Sequence, residues 1–197
     1  DNGPWLSYGE HAGSTGIYRE GKGTTWEGGQ REPTVVYYPR KISPGRTIDT
    51  QIMAIDVLPT IAEITGSDLP KKKIDGKSVW KIWKGETDQS PHDAYFFYYK
   101  SNEMHGVRYK NWKLYFPHTY RSLNGRMGGQ DGYKVQYDRD NKVDEIELYD
   151  LSSDISETTD VAKQHPDIVE KINSLADNMR IKLGDKLLGI KGSENRQ

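Results

Sequence analysis

The chain has 197 residues, with 28 Lys and Arg against 29 Asp and Glu, a formal net charge of −1, and no cysteine. That length suits one domain or slightly more, on a soft prior of roughly 150 residues per domain. The near-neutral balance excludes the basic field of a nucleic-acid binder. The missing cysteine excludes a disulfide framework, a thiolate metal site and a Cys nucleophile within this chain. No apolar run approaches the roughly 20 residues a membrane span needs.

Residues 1–33 hold eight glycines and no hydrophobic periodicity. Trp5, Tyr8, Ile17, Tyr18 and Trp26 are interspersed among them, so the segment reads as an ordered loop, and a loop this long in a compact domain is usually functional. Thr34 to Tyr38 is β-branched and aromatic between two prolines and predicts a short buried strand. Ile55 to Thr65 predicts a helix, with Asp56 capping its start, Pro59 in the first turn and Gly66 at the left-handed stop. Leu58, Ile61, Ala62 and Thr65 would share its inward face. Leu69 to Gly76 is a Lys-rich connection and the expected domain boundary, dividing the chain into 1–75 and 76–197. Ser78 to Lys84 suits one or two turns with Val79, Ile82 and Trp83 inward.

Beyond that point the texture is that of a small sheet. Ala94 to Tyr99, Met104 to Tyr109, Trp112 to Phe116 and Ile146 to Tyr149 predict strands, with Lys110-Asn111 as a hairpin turn. Residues 119–142, rich in Gly and Asp, suit a long surface loop. The closing helix starts at Pro166, carries Asp167 and Glu170 near its positive end, and stops at Gly184. Ile168, Ile172, Leu175, Met179 and Leu183 form one apolar stripe along it. The expected class is α/β, or α+β within this chain: the end of an α/β unit, then a four-stranded antiparallel sheet covered by one long helix.

The candidate chemistry gathers in the first loop. Asp1 and Asn2 are adjacent hard oxygen donors of the kind that suit Ca²⁺ or Mg²⁺, although Asp-Asn-Gly is also an ordinary turn sequence. Lys22 stands between Gly21 and Gly23, where small neighbours permit close approach of a ligand and an ammonium can serve a tetrahedral oxyanion. The surrounding spacing is not that of a phosphate-binding loop. Glu27 and Arg31 suit a bidentate pair that pins the loop. Five histidines are present. His11, His105 and His118 fall in loops or at strand ends, none with a partner at metal-ligand spacing, and read as surface histidines.

Asp1-Asn2-Gly3 and the run Gly21-Lys22-Gly23-Thr24-Thr25-Trp26-Glu27-Gly28-Gly29, followed by Arg31 and Pro33, resemble the C-terminal part of a type I, formylglycine-dependent sulfatase. Within the alkaline phosphatase superfamily the likeness is to the arylsulfatase A and N-acetylgalactosamine-6-sulfatase branch. Asp56-Val57-Leu58-Pro59-Thr60-Ile61, Trp112-Lys113-Leu114, Glu147-Leu148-Tyr149-Asp150-Leu151 and Asp154 with Glu157 are similar to later landmarks of that family. The resemblance implies that residues 1–75 end a catalytic α/β domain and that 76–197 form its C-terminal subdomain. It implies Ca²⁺ as cofactor, with Asp1 and Asn2 as its last two ligands, and Lys22 as the contact to the sulfate oxygens. His118 falls where relatives bring residues to the pocket rim, and His11 and His105 are lesser candidates for substrate contact. The expected substrate is a sulfated carbohydrate or aryl compound.

The family's Cys/Ser-x-Pro-x-Arg nucleophile motif does not occur here, so this chain alone is expected to be inactive and to act with an N-terminal part of the same sulfatase, in an exported protein. Two other readings remain. A phosphonate monoester hydrolase or phosphodiesterase of the same superfamily would favour His where Asn2 stands. A non-catalytic carbohydrate-binding module would stack sugars on Trp80, Trp83, Trp112 and the tyrosines.

Overall fold

The computed structural model describes residues 2–195. Two compact units emerge, one made of residues up to Glu32 together with the chain from Ala94, the other of Pro33–Asp93. The chain thus parts at 32/33 and 93/94, not at 75/76. The glycine-rich loop gathers its contacts on the later sheet and leaves the middle segment as a unit of its own.

The middle unit is small. A 3₁₀ turn at Ala54–Asp56 leads into α2 (Val57–Thr65), following the single-turn α1 (Glu27–Gln30) of the other unit, and α3 (Trp80–Lys84) comes later. Gly66 stops α2 with φ 69°, as its position predicts. Asp56 behaves differently from a helix cap. Its side chain is fully buried and accepts hydrogen bonds from the backbone N–H groups of Met53 (2.8 Å) and Lys77 (2.9 Å), with His92 Nε2 at 2.7 Å. It ties three separate stretches together. The core is Val79, Trp80, Ile82 and Trp83, packed by Tyr38, Ile42, Ile48, Ile52 and Ile64. The expected inward face of α2 is corrected: Leu58 and Ile61 are exposed, while Pro59, Thr60 and Ala62 are buried. Thr60 decides this rotation, because its hydroxyl accepts from Val79 N–H (2.9 Å) and donates to Asp56 O (2.6 Å). Thr34 to Tyr38 forms no strand, and Val35 and Tyr37 point outward. Residue preference alone does not make a strand; it needs a neighbour's backbone to pair with, and no described segment pairs here.

The larger unit is built on the sheet. Strands β1 (Tyr95–Tyr99), β2 (Glu103–Tyr109), β3 (Trp112–Tyr115) and β6 (Glu147–Asp150) lie in the order β1-β2-β3-β6, all antiparallel. The Lys110-Asn111 turn forms as expected, with Lys110 at φ 54°. Residues 119–142 are not one loop. β4 (His118–Ser122) and β5 (Asp138–Val143) pair as a separate antiparallel ribbon, with a register shift between Tyr120 and Ser122. The charged Asp138 to Lys142 stretch hides β5, because its side chains are mostly exposed and carry no hydrophobic alternation.

Helix α4 (Pro166–Leu183) closes the unit, with Pro166 in its first turn and Gly184 at its end. Ile172 and Ala176 are fully buried against Met104, Val107, Leu114, Phe116 and Leu148, and Ile168, Leu175 and Met179 pack on the flanks. The apolar stripe read from the sequence is thus the buried face. A last short pair, β7 (Gly184–Asp185) with β8 (Ile190–Lys191), follows the helix. Among the described residues no helix is long and apolar enough to cross a membrane.

Candidate functional site

The glycine-rich loop is held by backbone meeting backbone. Gly3 N–H donates to Gly29 O (3.3 Å), Gly28 N–H to Arg19 O (2.9 Å) and Lys22 N–H to Pro4 O (2.9 Å). A Cβ on Gly3 would stand 1.9 Å from Gly28 O, and one on Gly28 would stand 2.3 Å from Glu20 O. These two glycines are needed because main chains approach closer than any side chain allows. The interlock lays residues 2–4 directly against residues 19–29. It therefore brings Asn2 and Lys22, two of the expected site residues, onto neighbouring stretches. Asn2 is exposed and Lys22 half-buried at this edge. Asp1, the other expected metal ligand, lies outside the described residues.

Beneath the edge lies an ionic and aromatic core. Glu27, at the start of α1, is buried, and its Oε1 lies 2.7 Å from Lys113 Nζ on β3. Arg108 is at 3.4 Å and Arg31 at 3.7 Å from its other oxygen. Arg31 approaches Glu27 at 3.7 Å from one carboxylate oxygen, which is longer than the expected bidentate pair, and Lys113, itself fully buried, is the nearer partner. Burial alone would push the Glu27 carboxyl up; the bonded Lys113 with Arg108 and Arg31 more than offsets this and holds it below the usual carboxylate range. Glu157 completes the cluster. Its carboxylate accepts from Glu27 N–H (2.8 Å) and Tyr115 Oη (2.6 Å) and lies 3.5 Å from Lys113 Nζ. Burial dominates there and raises its carboxyl. Burial and the neighbouring Glu157 also push the Tyr115 phenol well above its ordinary value.

Trp26 sits in the middle, 4.1 Å from the Tyr115 ring and edge-on to Tyr120 and Tyr149. The Arg19 guanidinium covers it at 3.5 Å and donates to Glu157 O (2.9 Å). Sequence reasoning placed Lys113 and Glu157 only as landmarks. Trp112-Lys113-Leu114-Tyr115 alternates like a strand with one wet face, and nothing local shows that a loop 86 residues away covers it.

The histidines do not behave as surface residues, apart from the exposed His11. His105 and His118 are buried and stacked with ring centroids 3.9 Å apart. His118 Nδ1 donates to Phe116 O (2.6 Å), and His105 Nε2 lies 3.0 Å from Glu103 Oε2. The remaining nitrogens, His118 Nε2 and His105 Nδ1, are buried without a partner. Burial, together with the adjacent His105, lowers His118 to about 4, and burial lowers His105 as well. As described, neither ring nitrogen reaches the surface to meet a ligand. Trp80 and Trp83 are buried in the middle unit, and Trp112 packs against the apolar core, so these tryptophans offer no sugar-stacking platform.

Beside the interlock a groove of ≈ 380 Å³ opens between residues 6–20 and 122–128. Its walls include Thr15, Glu20, Ser122, Asn124 and Arg126. Gly129 and Val135 both donate backbone N–H groups to Ser7 O (2.9 Å each), which fixes the two loops together. Among the described residues no group of three His, Asp or Glu is placed to hold a metal ion. The chain's fit to a hard cation therefore rests on its donor type: the carboxamide oxygen of Asn2, on a segment fixed through Gly3, suits Ca²⁺ as one of several oxygen ligands.

Residues 13–183 match the sequence profile of the C-terminal region of N-sulphoglucosamine sulphohydrolase. The chain is 42% identical over 138 residues to an arylsulfatase of Hemicentrotus pulcherrimus, covering 69% of this chain and 23% of that protein. It is 36% identical over 121 residues to mouse steryl-sulfatase, covering 61% of this chain and 19% of that one. A solved protein of Bacteroides thetaiotaomicron, from work on the metabolism of multiple glycosaminoglycans, aligns with a TM-score of 0.63 at 26% identity. That alignment covers 85% of this chain and 32% of the other. A Pseudoalteromonas sulfatase shares the fold, with a TM-score of 0.70 at 18% identity over 91% of this chain and 35% of its own. The chain spans about a fifth of the length of these curated relatives. The profile match over residues 13–183, with these sulfatase relatives, makes this chain a member of the family of N-sulphoglucosamine sulphohydrolase C-terminal regions, the C-terminal part of a sulfatase of the alkaline phosphatase-like superfamily.

Proposed function

We propose that this chain is the sulfate-recognising C-terminal part of a calcium-dependent sulfuric ester hydrolase. The observation that carries the reading is the interlock that holds residues 2–4 against Lys22, through Lys22 N–H to Pro4 O (2.9 Å) and Gly3 N–H to Gly29 O (3.3 Å). Lys22 binds the sulfate oxygens and stabilises charge developing on the departing oxygen. Asp1 and Asn2 supply two hard oxygen ligands to Ca²⁺, which when bound adds positive charge against the same sulfate group. The nucleophile is a formylglycine contributed by a preceding part of the same sulfatase, in an exported protein. The groove beside the loop favours a sulfated carbohydrate, because its polar walls at Thr15, Glu20, Ser122, Asn124 and Arg126 suit a hydroxyl-rich substrate better than a sterol.

The test is Lys22→Ala in the full-length sulfatase with 4-nitrophenyl sulfate. Turnover should fall by about 10²–10³, the usual scale for removing one preorganised charge-stabilising group, with the melting temperature unchanged. Near-normal turnover overturns the role of Lys22. The 197-residue chain by itself should show no turnover.

A further inference from the structure

Lys22 is gripped from both sides of its own peptide. Its N–H is bound to Pro4 O (2.9 Å), and its C=O accepts a hydrogen bond from Arg121 Nη2 at 2.6 Å. Arg121 reaches it because of an irregularity in the β4–β5 ribbon. The ladder pairs Tyr120 with Asn141 and Ser122 with Asp138, and Arg121 falls in the register shift between them. Such a shift re-aims a side chain out of the ladder. At the neighbouring position, Ser122 Oγ donates to Glu20 Oε1 (2.6 Å), so the ribbon is bonded to the loop on both sides of Lys22's own turn.

The contact leaves no slack. Gly23 follows Lys22 with φ +88°, and a Cβ there would stand 2.0 Å from Arg121 Nη2 and 2.3 Å from its Cζ. The guanidinium thus occupies the glycine's open face. It lies 4.7 Å from the Tyr137 ring centroid and 5.9 Å from that of Trp5, and its Nε is buried without a partner. Arg121 makes no ion pair among the described residues, so its charge is not neutralised by a carboxylate. A guanidinium bonded to a carbonyl at 2.6 Å and packed on the glycine beside it serves the position of that carbonyl.

We infer that Arg121 is a positioning residue for the sulfatase reaction: from the register shift in the β4–β5 ribbon it clamps the Lys22–Gly23 peptide and so aims the Lys22 ammonium. The inference rests on the reading of Lys22 as the sulfate contact. A displacement of about 1 Å at such a group costs on the order of 10²-fold in rate.

The experiment uses the full-length sulfatase and 4-nitrophenyl sulfate. Arg121→Ala should lower kcat by about 10- to 100-fold with KM changed less than about threefold. Arg121→Lys, which keeps a donor to the carbonyl, should recover part of the loss. Arg121→Met, which keeps the apolar stem and removes the donor to the carbonyl, should reproduce the loss and stands in if Arg121→Ala does not fold. In a Lys22→Ala background, Arg121→Ala should cost less than about twofold more, because the two act as one unit. Normal kcat in both Arg121→Ala and Arg121→Met, or losses that multiply in the double variant, overturns the inference while leaving Lys22 intact. Near-normal activity of Lys22→Ala alone overturns the proposed function instead.

Discussion

The two faces of β3 show opposite ways of being buried. Leu114, with Phe116 just beyond the strand's end, faces the helix α4 and packs in an apolar cluster with Met104, Leu148 and Ile172, the Arg180 guanidinium lying over the Phe116 ring at 4.2 Å. Lys113 and Tyr115 face the glycine-rich loop and meet Glu27, Glu157 and Trp26. All of Lys113, Leu114 and Tyr115 are fully buried. The helix face is stabilised by removal of apolar area from water and is non-directional. The loop face is stabilised by paired charges that each need their partner. The loop that carries Lys22, with no hydrophobic periodicity, docks on this sheet through these buried ion pairs together with the single aromatic anchor Trp26.

The strongest way to break this comparison is to remove the shared cation. Lys113→Ala should destabilise the protein by about 3–5 kcal/mol, because Glu27 and Glu157 stay buried without it. Urea unfolding at several pH values gives the diagnosis. Glu27 is held below its ordinary pKa, so its contribution is present above about pH 4.5 and is lost as the pH falls through its folded value. The deficit of Lys113→Ala should therefore shrink in acid, where the orphaned carboxyls protonate. Leu114→Ala, on the opposite face of the same strand, should cost roughly 2–5 kcal/mol with no such pH dependence. Identical pH profiles for the two variants would refute the contrast.

A third measurement concerns the buried stack. His118 titrates at about 4 in the folded protein against about 6.5 unfolded, so between those values the unfolded chain binds the extra proton. Wild-type stability should fall as the pH drops through this window, by up to about 3 kcal/mol from this group. His118→Phe should flatten that slope, with the remainder due to His105, which shifts the same way. The smallest effect is expected at the rim. Arg31 touches the same Glu27 carboxylate at 3.7 Å with a side chain 40% exposed, and Arg31→Ala should cost below about 1 kcal/mol. A loss at Arg31 matching that at Lys113 would mean that burial does not set the difference.

Legibility in the sequence followed these two modes. The apolar mode is written in periodicity, so α4, its stripe and the four strands could be read from spacing alone, as could the stops at Gly66 and Gly184. The polar mode is not. Lys113 looks like a wet strand residue and Glu157 like a loop carboxylate, because partners 86 and 130 residues away leave no local trace. Arg121 was hidden for a related reason: the ribbon that presents it is short, charged and irregular in register. Leu58 and Ile61 misled in the other direction, since a buried threonine hydroxyl, Thr60, set the rotation of α2 against its hydrophobic pattern. Lys22 was singled out by its flanking glycines, and Gly23 takes φ +88° with its open face against the Arg121 guanidinium.

The bond from Glu27 N–H to Glu157 spans 130 residues, and the one from Lys113 to Glu27 spans 86. Closing such long segments delays contact formation, whereas the β2–β3 hairpin closes over the two residues Lys110-Asn111. The order of assembly follows. The hairpin and its helix can collapse first, and the Lys22 loop gains its anchors only once residue 157 is in place. Refolding followed by protection of backbone amides should show Val107 and Leu114 slow to exchange before Gly28 and Lys22. Simultaneous protection of both sets would refute that order. A nascent or partly unfolded molecule would then present an ordered sheet and an unformed Lys22 loop, so on gentle denaturation protection of the loop amides should be lost before that of the sheet.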